Sequence, residues 1–152
     1  SSCSTTYSNQ LLPSSSFAGP TVFGYWDDLY IKAGTSQNIY YAVNGIAPNR
    51  TITFEFYCTH YGLFSEYYHF QIVFFENLPN IVKYIYFEAS DSGSSATIGV
   101  KVSYSLFSNE IHVHIEMLES GTGPSMTYSF NQHNSVISNL TLLFDTNTNT
   151  FT

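Results

Sequence analysis

The residues best suited to chemistry lie in the segment "EIHVHIEM", residues 110–117. Side chains alternate between the two faces of a β-strand, so a strand here would place four polar side chains on one face: Glu110, His112, His114 and Glu116. Two histidines beside carboxylates can bind a divalent transition metal. The same alternation is typical of a strand with one solvent-facing side. We expect a solvent-facing strand, with a metal site at His112 and His114 as the alternative.

The second candidate is the acidic pair Asp27 and Asp28 in "GYWDDL". Calcium prefers six to eight oxygen ligands, so Asn38, Asn44 or Asp91 would have to converge on the pair. Adjacent residues of a strand point to opposite faces, so the two acids cannot flank one glycosidic bond. We therefore expect the pair to organise a junction between strands, with calcium or ligand binding as the alternative, and we expect no catalytic role.

The chain has two cysteines, Cys3 and Cys58, which are too few for a four-ligand structural zinc site. We expect them to form a disulfide that fastens the Ser-rich N-terminal arm to the domain, with two buried free thiols as the alternative. Asn49 and Asn139 each begin an N-glycosylation sequon, Asn49-Arg50-Thr51 and Asn139-Leu140-Thr141.

These features together favour a secreted protein. No initiator methionine or signal peptide is present, so the chain is expected to be a processed form. No stretch approaches the roughly 20 apolar residues of a membrane span, so membrane insertion is not expected.

Charge and motifs exclude several functional classes. The net charge is −7 and only four residues are basic, too few to neutralise the phosphates of a nucleic acid. The sequence has neither the Gly-x-Ser-x-Gly motif of many serine hydrolases nor a phosphate-binding glycine loop. We therefore expect no enzymatic activity and no cofactor, calcium excepted.

Composition and spacing predict an all-β protein. Charged residues make up 10% of the chain and aromatic residues 18%, a balance that favours strands over helices. Apolar alternation and turn residues at roughly ten-residue intervals predict an antiparallel, jelly-roll-like β-sandwich. Residues 1–20 are expected to be an extended arm and residues 21–152 a single domain. Ten strands are predicted, at residues 21–26, 28–32, 37–43, 50–58, 66–75, 80–88, 96–103, 111–118, 125–131 and 138–144.

Four segments in order resemble a known extracellular module: "FGYWDDL", "IYYAVNGIAPNRTITFEF", "HFQIVFFE" and "SSATIGV", within residues 23–100. The chain is similar there to the extracellular domain of nidogen and its microbial relatives. In this resemblance Asp27 and Asp28 match the acidic pair of the module, and Asn49 and Arg50 match the turn before its central strand. Phe56 stands where that strand usually closes with Trp. The resemblance implies a β-sandwich-like module of matrix, cell-surface or adhesive proteins, without enzymatic activity.

Two functions follow as expectations. The first is a secreted structural or adhesive protein that acts through its surfaces and self-associates, with the arm adding a strand to the sheet of another copy. The second is a glycan-binding lectin, calcium-dependent through Asp27 and Asp28, with Trp26, the pair Tyr40–Tyr41 or the pair Tyr67–Tyr68 stacking on sugars.

Overall fold

Ten β-strands and no helix form the regular structure of the residues that the computed structural model describes, which are 7–17, 19–102 and 125–152. The strands are β1 Thr21–Trp26, β2 Leu29–Tyr30, β3 Asn38–Asn44, β4 Thr51–His60, β5 Leu63–Phe75, β6 Leu78–Ala89, β7 Thr97–Lys101, β8 Ser125–Phe130, β9 Thr141–Asp145 and β10 Thr150–Phe151.

The strands form two antiparallel sheets of unequal width. The smaller sheet has the order β1-β7-β8, and the larger has the order β10-β9-β6-β5-β4. Both β2 and β3 pair with the edge of β4 that β5 leaves free, each along a different part of that edge. One of the two sheets curls as a half-barrel. The predicted all-β sandwich is thereby confirmed.

The core lies between the two sheets and is rich in aromatic side chains. The alternation in β5 buries Tyr68, Phe70 and Ile72, which are 0%, 2% and 5% exposed. Two buried tyrosines of β6 also connect the sheets by hydrogen bonds. The Tyr84 hydroxyl donates to the carbonyl of Gly99 at 2.8 Å, and the Tyr86 hydroxyl donates to that of Gly24 at 2.6 Å. Burial raises the pKa of both phenols, so each stays a neutral donor.

The N-terminal segment 7–17 lies on the smaller sheet. Leu12 is 7% exposed and packs with Phe23 and Trp26. The Thr97 hydroxyl of β7 donates to the carbonyl of Gln10 at 2.8 Å. These contacts join the described part of the predicted arm to its own chain.

Nine of the ten predicted strands fall on observed strands, with ends that differ by at most a few residues. The prediction missed only the short β10. The remaining predicted strand, residues 111–118, lies outside the described residues. Among the described segments none is a helix of the length and apolarity that a membrane crossing requires.

Candidate functional site

The acidic pair lies where β1 ends and β2 begins, and the Asp27 side chain faces the loop between β6 and β7. The Ser95 hydroxyl lies 2.5 Å from Oδ2 of Asp27 and 2.8 Å from Oδ2 of Asp91. Nε2 of His60 is 3.7 Å from the same Asp27 oxygen. Asp27 thus occupies the strand junction that the sequence predicts for it, and its contacts join three elements. The backbone carbonyl of Asp28 accepts a hydrogen bond from the Tyr61 amide at 2.9 Å.

Asp91 is the best-satisfied acid of this junction. It accepts hydrogen bonds from the Tyr25 hydroxyl, from the Ser95 hydroxyl and from the amides of Gly93 and Ser95. Burial alone would raise the pKa of Asp91, but these donors outweigh it and the pKa lies below its ordinary value. Asp91 is therefore the preferred site of negative charge in the junction.

Ser95 has one hydroxyl hydrogen and two carboxylate oxygens within reach. If the Ser95 hydroxyl donates its hydrogen to Asp91, no hydrogen lies between the Ser95 oxygen and the carboxylate oxygen of an ionised Asp27. Burial raises the pKa of Asp27, with the hydrogen bonds and nearby His60 opposing part of that rise. A protonated Asp27 can donate to Ser95, which can then donate to Asp91. The arrangement is a hydrogen-bonded chain between two acids.

The described residues contain no group of three His, Cys, Asp or Glu side chains that could hold a metal ion. The structure brings Asp91 to Asp27 through Ser95, whereas Asn38 and Asn44 lie at the two ends of β3. Calcium or ligand binding at Asp27 and Asp28 stays a prediction. His112 and His114 lie outside the described residues, so the predicted transition-metal site is also still a prediction.

Cys58 is a buried thiol, 3% exposed, and forms no disulfide within the described residues, so its predicted disulfide with Cys3 stays a prediction. Its predicted partner Cys3 lies outside the described residues. Burial raises the pKa of the Cys58 thiol to about 12, so the reactive thiolate is scarce at neutral pH.

Both sequon asparagines lie on the surface in turns, where a glycan has room. Asn49 precedes β4 and accepts a hydrogen bond from the Asn77 side chain at 2.8 Å through Oδ1, and Asn139 precedes β9. Glycosylation at Asn49 and Asn139 stays a prediction.

The aromatic residues predicted to stack on sugars divide into two groups. Trp26 is 8% exposed and packs against Phe17, and Tyr68 is fully buried in the core. Tyr40, Tyr41 and Tyr67 are exposed, at 46%, 74% and 37%. Only this second group presents rings to a ligand.

The strand β3 carries a largely apolar exposed surface, of which the sequence singled out only the pair Tyr40–Tyr41, as a place for sugars to stack. All seven residues of β3 are exposed. We call five exposed apolar side chains of this strand and its following loop the β3 surface: Ile39, Tyr41 and Val43 on one face of the strand, Tyr40 on the opposite face, and Ile46 in the loop. No charged residue occurs between Lys32 and Arg50. Monomeric soluble proteins rarely expose large contiguous apolar patches, and such patches commonly mark interaction sites.

The four sequence segments that carry the nidogen resemblance meet in pairs. Arg50 of "APNR" forms a two-pronged ion pair with Glu76 of "HFQIVFFE", with Nε–Oε2 at 2.9 Å and Nη2–Oε1 at 2.5 Å. Asp27 of "YWDD" contacts Ser95 of "SSATIGV". These residues join turns and strands to one another, which explains their spacing in structural terms.

A comparison with protein families agrees with this pattern. A family model described as "NIDO related" matches residues 1–149. Neither the curated proteins nor the solved structures gave a match to the chain.

Proposed function

The chain belongs to the nidogen-related family, and on that basis we propose that it is a secreted structural or adhesive protein that acts through its surfaces and performs no reaction. The family is one of extracellular domains that are generally non-enzymatic. Secretion, adhesion and self-association are the finer steps that the proposal adds.

The β3 surface is the observation that carries the proposal. Ile46 is 86% exposed, Tyr41 74% and Val43 56%, and no charged residue interrupts the sequence around them. Covering such side chains releases ordered water and is favourable at about 25 cal/mol per Å² of apolar area. A surface of this kind favours a binding role.

The acidic junction supports a structural role for its residues. Asp27, Ser95 and Asp91 take one another as hydrogen-bond partners, and Tyr25 adds a further donor. Within the described part of the chain, every buried side-chain nitrogen or oxygen has a hydrogen-bond partner.

A bead-aggregation assay tests the adhesive role. Beads coated with the native chain should clump, and they should do so equally in the presence of a calcium chelator. The double variant Tyr41→Ser/Ile46→Ser should reduce clumping, because it removes apolar area from the β3 surface. The matched control is Leu78→Ser/Ile137→Ser, which alters side chains that are 48% and 61% exposed outside both β3 and the N-terminal arm. Native beads that stay dispersed would contradict the proposal.

Strand exchange by residues 1–20 is a further part of the proposal. The described part of the arm contacts its own smaller sheet, with Lys101 Nζ donating to the carbonyls of Ser14 and Phe17. Exchange would form the same contacts between two chains, as in domain swapping. Negative-stain electron microscopy of the native material should show filaments if exchange propagates, and small dispersed particles would rule out a polymer.

A lectin is the second candidate, favoured by a separate cluster of exposed rings. Tyr30 lies 5.6 Å from Tyr61 and 5.8 Å from Phe64 between ring centroids, and all three are at least 38% exposed. Sugars stack on such rings in many binding sites. A glycan panel should then give binding that Tyr61→Ala abolishes and, if Asp28 holds calcium, that a chelator weakens. Absence of binding across a broad panel would end this candidacy.

A further inference from the structure

Among the described strands, β4 pairs with one edge of β3 and none pairs with the other, which we call the open edge. The amide of Glu76, just after β5, donates a hydrogen bond to the carbonyl of Arg50, just before β4. Backbone groups alternate in direction along a strand, so the even-numbered residues of β4 direct theirs toward β5. The odd-numbered residues of β4 therefore bond to β3, where Tyr57, Glu55, Thr53 and Thr51 face Asn38, Tyr40, Ala42 and Asn44. The backbone groups of Ile39, Tyr41 and Val43 consequently point away from the sheet.

An independent observation supports this assignment. The amide of Ile39 donates to the side-chain oxygen of its neighbour Asn38 at 2.9 Å. That amide faces the open edge, as the register requires, and is covered by a local side chain. The open edge thus presents alternating donors and acceptors of the kind that accept another strand.

The sequence of β3 is close to symmetric about Tyr41. Three residues from Tyr41 on either side are the asparagines Asn38 and Asn44, and two residues from it are the β-branched Ile39 and Val43. Tyr40 corresponds to the small residue Ala42. An antiparallel pair of two such strands, related by a two-fold axis through Tyr41, would place asparagine opposite asparagine and Ile39 opposite Val43.

The hydrogen-bonding register and the side-chain symmetry coincide. A two-fold axis at Tyr41 makes each odd-numbered residue of one strand face an odd-numbered residue of the other, which are the residues whose backbone groups point outward. Each such pair exchanges two backbone hydrogen bonds. An axis half a residue away, between Tyr41 and either neighbour, would face an outward residue with an inward one and lose these bonds. An axis at Tyr40 or Ala42 would keep outward residues opposite each other but would break the match of Asn38 with Asn44 and of Ile39 with Val43.

Charge also favours a second copy as the partner. The chain carries a net charge of −7, so most of its surfaces repel a second copy. The residues from 33 to 49 carry no charged side chain, so the β3 edge brings no like charges together. A partner strand rich in lysine or arginine would find no acid here to recognise.

We propose that two copies of this chain associate edge to edge through β3, antiparallel and with Tyr41 opposite Tyr41, which joins their two larger sheets into one continuous sheet. This inference names the partner of the β3 surface and so rests in part on the proposed function. Pairing also moves the Asn38 side chain off the Ile39 amide, which then donates to the partner strand.

Charge complementation at Tyr41 tests the register directly. Tyr41→Lys and Tyr41→Glu each place like charges opposite each other on the two-fold axis. Sedimentation equilibrium should show that the dissociation constant of each variant dimer is at least about tenfold higher than that of the native dimer. An equimolar mixture of the two variants should recover a dimer, because Lys then faces Glu. Loss in both variants without recovery on mixing would overturn the register, and a native chain that stays monomeric would overturn the proposal.

A second pair of variants tests the flanking contact. Ile39→Lys alone should weaken the dimer, because both copies then bury a lysine beside Val43. Ile39→Lys/Val43→Glu should recover it, because each Lys then faces a Glu of the other copy. These side chains are 49% and 56% exposed, so the changes leave the fold intact, and far-ultraviolet circular dichroism checks this. Equal association of the single and double variants would contradict the proposed pairing.

The outcomes separate this inference from the proposed function. Beads that clump while the charge variants dimerise as tightly as the native chain would retain an adhesive function and overturn the β3 pairing. Beads that stay dispersed while the chain dimerises through β3 would retain the pairing and overturn adhesion.

Discussion

Asp91 holds the loop between β6 and β7 against the end of β1. Its carboxylate accepts hydrogen bonds from Tyr25, from Ser95 and from the amide of Gly93. Hydrogen bonds to a charged acceptor each contribute about 1.5–3 kcal/mol, and a buried donor left without a partner costs about as much. The junction therefore depends on this acid more than on either member of the Asp27–Asp28 pair.

Replacing Asp91 by Ala should lower the free energy of unfolding by about 3 kcal/mol, because the Tyr25 hydroxyl and two backbone amides lose their acceptor. Urea unfolding followed by fluorescence measures the change. Glu88→Ala is the matched control, since it removes an equal charge from an exposed site. Equal stability of the two variants would show that the Asp91 contacts contribute little.

Replacing Asp27 by Asn should change how stability depends on pH. The pKa of Asp27 is raised on folding, so the folded chain binds its proton more tightly than the unfolded chain does. Stability from this group is present below the ordinary carboxyl pKa and is lost as the pH rises through the raised pKa. Asn cannot lose a proton, so the stability of Asp27→Asn relative to the native chain should increase over that window. Tyr25, His60, Glu66, Tyr68 and Asp91 surround or couple to this site and are common to both proteins.

Urea unfolding at a series of pH values measures this difference. The pKa of Asp91 is lowered, so its effect on stability has the opposite sign. The protein loses the stability that Asp91 contributes as the pH falls below the ordinary carboxyl pKa, and this acid-side decrease should be the same in both proteins. Parallel pH profiles for the native chain and Asp27→Asn would contradict the account of the junction.

At the scale of residues, the sequence predicted that Asp27 lies at a junction between strands, but it did not predict that Ser95 contacts Asp27 there. "YWDD" followed by a short strand predicts a turn with an acid at it, and Asp27 lies there. Ser95 lies 68 positions away from Asp27, and no local pattern brings the two together. Convergence of this kind depends on how the two sheets stack, which periodicity along one strand does not encode.

At the scale of elements, the hairpin of β3 and β4 depends on its loop. Gly45 has a φ of +89°, and a Cβ added there would lie 2.7 Å from the carbonyl oxygen of Asn49. The loop leads into Arg50, whose ion pair with Glu76 joins the hairpin to the turn between β5 and β6. A side chain at position 45 would therefore disturb the hairpin and the edge strand that it carries.

Gly45→Ala should lower the free energy of unfolding by about 3 kcal/mol, from the strained backbone and the close contact together. Gly34→Ala is the matched control, because Gly34 has a φ of +79° with nothing within 4 Å of its added Cβ. The control should lose only about 1 kcal/mol. Thermal or urea unfolding separates the two costs, and equal losses would show that the contact with Asn49 relaxes without penalty.

The strands themselves were largely predictable, and their partners were not. The predicted strand at residues 66–75 falls within β5, and the apolar alternation of "EYYHFQIVFF" matches the burial of Tyr68, Phe70 and Ile72. Six of the seven residues of β3 were also predicted as part of a strand, at residues 37–43. Among the described strands β3 pairs only with β4, and this place in the sheet order cannot be deduced from the spacing of residues within the strand.

At the scale of the whole molecule, the proposed dimer joins two negatively charged chains through an edge that has no charged side chain. The net charge of −7 gives a long-range repulsion between copies that salt screens, with a Debye length of about 10 Å at 0.1 M. The β3 contact contains no ion pair that salt would weaken. Association through it should therefore tighten as salt rises from about 0.02 to 0.3 M.

Sedimentation velocity at several salt concentrations measures this dependence. A contact held by ion pairs would loosen over the same range. Dissociation with added salt would therefore show that charged groups, and not the β3 edge, hold the copies together.

The central claim is that the chain acts through the open edge of β3, and amide hydrogen exchange along that strand tests it most directly. In dilute solution the amides of Tyr40 and Ala42 should be protected by β4, while those of Tyr41 and Val43 exchange rapidly. At a concentration where the chain associates, the amides of Tyr41 and Val43 should become protected as well. Exchange at these two positions that stays rapid while the chain associates would place the contact elsewhere and contradict the account.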